Sequence, residues 1–261
     1  MNEERQSSIS AALQSYRNTV QDLNLSALRI ALASVEEKPA LPDVKEDEVR
    51  QLRLELLRSE YRIRLDSSDI TVSDIRDFLS GGARELFIAT CSLDGVNHGT
   101  VDVKEREAWF ADLWDRVSNT EGISNRPKGL PEDLKYLSTL VRGICGPGLP
   151  GYREISRLSF LTDLSLLQEY DDHRVDVPLS QGQMNYVEFN ALPLTWVGWE
   201  IAVGDRTGDG PQAWSGGSIL FCRQAEWERS EWLWRYGIKD EAFESELCDS
   251  LEIFFGVVRT L

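Results

Sequence analysis

The strongest constraint on this chain is a change of hydrophobic period partway along it. Up to about Val141 apolar residues recur at helical spacing, whereas beyond Gly143 they recur at every second position. Ile9, Leu13, Tyr16, Val20 and Leu23 step by four, three, four and three, which keeps them on one helix face. Leu25, Leu28, Leu32 and Val35 continue in that style until Lys38-Pro39-Ala40-Leu41-Pro42-Asp43. There proline removes an amide donor and restricts the residue before it, so the helix breaks. The spacing predicts a further helix from Asp47 to Arg64, with Val49, Leu52, Leu56 and Ile63 inward. A short one follows over Val72 to Leu79, ended by Gly81-Gly82. Val103 to Val117 reads as a helix carrying Trp109, Phe110, Leu113 and Trp114. Leu130-Pro131-Glu132-Asp133 opens another, because proline suits a first turn and the two acids complement the positive helix end. Leu134, Leu137, Leu140 and Val141 supply its apolar face.

The second part alternates. Val187 and Phe189 alternate with Tyr186 and Glu188, and Val197, Trp199, Ile201 and Val203 form the apolar side of a second strand. Gly204 to Gly210 is a turn, Ile219 to Cys222 the next strand, and Phe243, Leu247, Leu251, Phe254 and Val258 the face of a closing helix. Helices followed by consecutive strands, with no βαβ alternation, predict an α+β fold with an antiparallel sheet packed with helices. All eight tryptophans lie from Trp109 onward. That shift divides the chain into a helical N-terminal region, 1–107, and an α+β domain, 108–261.

Charge decides which partners suit such a chain. Forty-four acids against 28 bases leave a net charge of −16, which repels phosphate backbones and anionic lipid and favours a basic protein partner. The same charge also serves solubility. The N-terminus is polar, with no apolar stretch of the signal-peptide kind, and no run approaches the roughly 18 apolar residues of a membrane span. Cys91, Cys145, Cys222 and Cys248 are far apart and read as reduced, mostly buried thiols. The expected setting is the cytoplasm or the nucleus, with no membrane and no nucleic acid as partner.

A family resemblance follows from short motifs in order. They are Leu130-Pro131-Glu132-Asp133-Leu134 before a Gly-rich turn, then Trp199-Glu200-Ile201-Ala202-Val203-Gly204-Asp205, then Gly208-Asp209 before an apolar strand. Asp249-Ser250-Leu251-Glu252-Ile253-Phe254-Phe255 closes the series. Over roughly residues 109–261 the chain resembles the SMI1/KNR4 (SUKH) superfamily. It departs at Gly143-Ile144-Cys145-Gly146-Pro147-Gly148, where that family has Asn-Gly, and residues 1–107 are not covered. The resemblance implies a non-catalytic interaction module without cofactor. Such proteins are linked to cell-wall regulation and signalling in fungi, and many bacterial ones are immunity proteins that neutralise toxins.

Motifs with catalytic overtones fail on context. Gly146 to Gly151 spells GxGxxG, but a helix precedes it and two prolines remove amide donors. Ala213-Trp214-Ser215-Gly216-Gly217 approximates a nucleophile elbow, yet His98 and His173 both precede Ser215, the reverse of that hydrolase order. The loop from Asp205 to Gly210 imitates half a calcium site, but Gly216 stands where the closing Glu belongs. Arg50, Arg53, Arg58, Arg62 and Arg64 alternate with Glu48, Glu55 and Glu60, the pattern of a salt-bridged helix surface. The enzymatic alternative, a small hydrolase or metal enzyme, would use Asp171, Asp172 and His173. The binding reading places partner contacts at Trp227, Trp232, Trp234 and Tyr236, which sit among charges, and at Asp205 and Asp209 of the turn. No catalytic residue and no metal ligand is expected in that reading.

Overall fold

A computed structural model describes residues 1–39, 44–61, 79, 83–98, 101–119, 127–147, 160–161, 184–191, 194–203, 216–225, 231–239 and 246–259. Six helices and six strands lie within them: α1 (Glu3–Glu36), α2 (Glu46–Tyr61), α3 (Ala83–Thr90), β1 (Val96–Asn97), α4 (Val103–Asn119), α5 (Glu132–Leu140), β2 (Gly143–Ile144), β3 (Met184–Ala191), β4 (Leu194–Ala202), β5 (Gly216–Gln224), β6 (Leu233–Lys239) and α6 (Leu251–Val258). The fold is α+β, as the change of period predicts. Strands β3, β4, β5 and β6 form one antiparallel meander, and β1 pairs with β2 as a separate antiparallel ribbon.

Helix α1 is one continuous element of 34 residues, begun by Asn2, whose side chain accepts the Arg5 amide at 2.9 Å. Ile9, Leu13, Tyr16 and Val20 are buried as expected, and so are Leu25, Leu28, Leu32 and Val35. Leu23 is not: it is 49% exposed, and the buried place beside it belongs to Asn24. Asn24 satisfies its amide by donating to the Leu93 carbonyl at 2.9 Å, which is why a polar residue is tolerated there. In α2 the inward residues are Leu54 and Leu57, while Leu52 is exposed. A one-residue error in the assumed face turns a helix by about 100°, enough to exchange these positions. On the same helix Arg50 pairs with Asp47 at 3.5 Å and Arg53 donates to the Lys38 carbonyl.

Two apolar clusters result. The larger joins Ile9, Leu13, Tyr16 and Val20 to α4, α5, α6 and one face of the meander. Tyr16 meets Phe255 with ring centroids 5.4 Å apart. Phe160 bridges to Ile144, packs on Tyr236 and Phe254, and lies where a Cβ on Gly217 would come within 2.3 Å of its ring. The smaller cluster joins Leu25, Leu28, Leu32 and Val35 to Leu54, Leu57, Ile88, Cys91 and Leu93. The expected boundary at residue 107 falls inside α4, and the sheet shares its core with the first half of α1.

Helix α6 starts later than its periodicity suggests. Ser250 caps it, and Cys248 instead forms a bridge with Tyr236 at the β6 edge, so Leu247 lies outside the helix. Leu251, Phe254, Phe255 and Val258 are its buried face. The segment 62–78, including most of the expected Val72–Leu79 helix, lies outside the described residues.

Candidate functional site: an aromatic end of the sheet

Side chains alternate between sheet faces, so the register decides which aromatics meet. Tyr186, Trp199, Phe221 and Trp234 pair in turn across β3, β4, β5 and β6, and one ring from each strand lies in one row. Tyr186 meets Trp199 edge-on at 5.6 Å, and Phe221 meets Trp234 at 5.3 Å. Trp232, just before β6, folds over this row, 5.0 Å from Trp199 and stacked 5.5 Å from Phe221. The Arg223 guanidinium sits over the Trp232 ring at 5.4 Å, a cation–π contact.

The row is graded in exposure. Trp199 and Phe221 are buried, Trp232 and Trp234 half-buried, and Tyr186 is 63% exposed at the edge strand. Trp234 is held by its indole N–H, which donates to the Gly129 carbonyl at 2.9 Å. The large core takes in Trp199 and Phe221, and it covers the whole of the next row on the same face, Met184, Ile201, Ile219 and Tyr236. Tyr236 is 3% exposed, and burial raises its hydroxyl pKa above the ordinary phenol value. Tyr236 is therefore a core residue, and its expected place on a contact surface is corrected. Tyr186, by contrast, falls on the polar side of its strand by sequence alternation. Its register partner Trp199 places it on the aromatic face.

On the opposite face Leu220 and Cys222 are buried with Trp196 and Leu247 against them. Arg235 lies over Trp196 at 4.2 Å and reaches Asp249 at 2.8 Å. Burial pushes the Cys222 and Cys248 thiols up to about 12, so both stay protonated and unreactive. None of the four cysteines forms a disulfide.

A second polar cluster escaped the sequence reading. Asp94 has a side chain only 2% exposed, yet it takes the His98 Nε2 at 2.8 Å on one oxygen and Arg17 on the other, Nε at 2.8 Å and the nearer terminal nitrogen at 2.7 Å. Burial alone would push its carboxyl up; the hydrogen bonds and charges of His98 and then Arg17 outweigh that and hold it below the usual carboxylate range. The turn carrying it is shaped by Ser92 at φ +50° and Gly95 at φ +77°. A side chain on Gly95 would strain that backbone and meet Val20 at 2.8 Å. These contacts fasten the turn to α1.

Trp227, Asp205, Asp209, Asp171, Asp172 and His173 lie outside the described residues, as does the chain from Gly148 through Gly151. Among the described residues no group of three or more His, Cys, Asp or Glu is arranged to hold a metal, and no helix is long and apolar enough to cross a membrane. In comparisons with family models, curated proteins and solved structures, nothing matches the chain.

Proposed function

We propose that this protein is a non-catalytic interaction module of SMI1/KNR4 type that binds a basic protein through the aromatic end of its sheet. The observation that carries this reading is the four-ring row, roofed by Trp232 and running out to the exposed Tyr186. Rigid aromatics half in and half out of a core give large contact area at small entropic cost, which is how interface anchors work. The net charge of −16 supports a basic partner, met in the cytoplasm, either in a regulatory complex or as a toxin neutralised by an immunity protein. No cofactor has a part in this role.

The test is capture of partners from the source organism with wild-type protein and with Tyr186→Ala, followed by kinetics on the partner that the variant fails to retain. Tyr186 is exposed, so its loss leaves the fold intact. Tyr186→Ala is expected to weaken binding through faster release, and Trp232→Ala by about 2 kcal/mol or more. Raising salt should slow association without changing release. Unaltered affinity in both folded variants would place the interface elsewhere and sink the proposal.

A further inference from the structure

The C-terminal half of α1 has a second apolar face that nothing among the described residues covers. Leu23 and Ile30 are 49% and 70% exposed and stand seven residues apart, two turns along one stripe. Ser26, Ala27, Ala33 and Ser34 are exposed beside them and complete a face without a charge, in a chain of which 28% is charged. The opposite side of the same turns holds Leu25, Leu28, Leu32 and Val35 against α2 and α3. Two exposed charges, Asp22 and Arg29, also seven apart, run along one flank of the stripe, and the half-buried Glu36 continues that line toward the end of the helix.

We propose that this face docks a second copy of the same chain, helix against helix, in an antiparallel two-fold pair. The charges select that occupant. In an antiparallel pair each flank meets its own equivalent, so Asp22 faces the partner's Arg29 and Arg29 faces the partner's Asp22. A parallel pair would set this flank against Ala27 and Ser34, with no charge to answer it. A foreign basic partner would be met by Arg29 between the acids Asp22 and Glu36, whereas a second copy satisfies Asp22 and Arg29 at once. Leu23 then packs near the partner's Ile30, and the small Ser26, Ala27 and Ala33 let the two backbones approach closely. The antiparallel sense also suits the shape of the molecule. The large core sheathes α1 from Ile9 to Val20, so each body lies beyond the end of the other's exposed stripe. A contact confined to four turns is small, and the pair is a weak, concentration-dependent dimer.

Sedimentation velocity of the full chain over a concentration series tests this. A monomer–dimer equilibrium is expected for the wild type, strengthened at low salt. Ile30→Glu should raise the dissociation constant more than about tenfold. Leu23→Ser should act in the same direction with a smaller change. Asp22→Arg and Arg29→Asp should each weaken the dimer, and the double exchange Asp22→Arg with Arg29→Asp should restore it. All these positions are exposed, and thermal melts confirm that each variant is folded. A wild type that stays monomeric throughout, a dimer indifferent to Ile30→Glu, or a double exchange no better than either single would each overturn the proposal.

Discussion

The two halves of α1 obey one helical geometry and serve different cores. Ile9, Leu13, Tyr16 and Val20 point into the sheet core, and Leu25, Leu28, Leu32 and Val35 point toward α2 and α3, with the two faces turned from each other by roughly 100°. The turn occurs where the regular spacing slips, at Leu23, Asn24 and Leu25. A one-step slip in an apolar pattern therefore marks a change of packing partner rather than the end of a helix. Space is divided within α1, while the composition of the chain shifts near residue 107.

Removing the helix should do the most damage to the fold. The four buried side chains of its first half contribute about 1.5–3 kcal/mol each by burial, roughly 6–12 kcal/mol together. Whole domains are stable by about 5–15 kcal/mol. A 105–261 fragment, in which Phe255 would lose the Tyr16 ring packed on it, should therefore lose its cooperative thermal transition and bind hydrophobic dyes. A sharp transition and native near-ultraviolet dichroism in that fragment would show that the sheet keeps its core without α1.

How much of this was legible in the sequence depends on how local the cause is. The long helices and the strands around Val197–Val203 and Ile219–Cys222 declare themselves, because side-chain period is a property of the segment itself. The ribbon of β1 and β2 has two residues a side and joins positions 96–97 to 143–144, so no local pattern could announce it. Trp232, Trp234 and Tyr236 share a sheet face and look alike in the sequence. Rings distant in the sequence, Phe160 and Phe254, cover Tyr236, whereas Trp232 stays partly open. Strand β6 itself was hidden for a related reason. Arg235 gave it a polar look, but that side chain is buried over Trp196 on the far face. Asp94 and His98 are four residues apart, an unremarkable spacing until Arg17 arrives from a distant helix.

A clasp joins the two clusters at their seam, where Arg17 and Asn24 of α1 hold the turn at Leu93 and Asp94. Asp94→Asn should cost about 1–3 kcal/mol, less than a fully buried ion pair because Arg17 and His98 remain about one-third exposed and can rehydrate. The pH dependence has a definite sign. The folded Asp94 carboxyl lies below its unfolded value, so its contribution is complete above the unfolded range near pH 4. That contribution is lost as pH falls through the lowered folded value. Urea midpoints from neutral pH downward should therefore decline more steeply for the wild type than for Asp94→Asn. Parallel curves would show that the clasp carries no charge-linked stability.

The smallest expected effect comes from the other end of α1, where charge meets water. Arg5 pairs with Asp133 at the start of α5 and with Glu252 in the first turn of α6, while Ser8 donates to Glu252 at 2.6 Å. The contact with Asp133, above all, raises the Arg5 pKa, so its charge persists at any ordinary pH. The geometry is as good as that of Arg17 with Asp94, but all three side chains here are between a fifth and a third exposed. Solvent screens the attraction and the freed carboxylates of a variant regain water, so Arg5→Ala should cost no more than about 1 kcal/mol. Because the pair is screened, the difference between Arg5→Ala and wild type should shrink as salt rises, whereas the cost of Asp94→Asn should hardly change. Measuring both variants at low and high salt separates the two ends of the helix directly. Equal salt dependence would mean that burial of Asp94 confers no protection from screening, and the contrast drawn between the two ion pairs would fail.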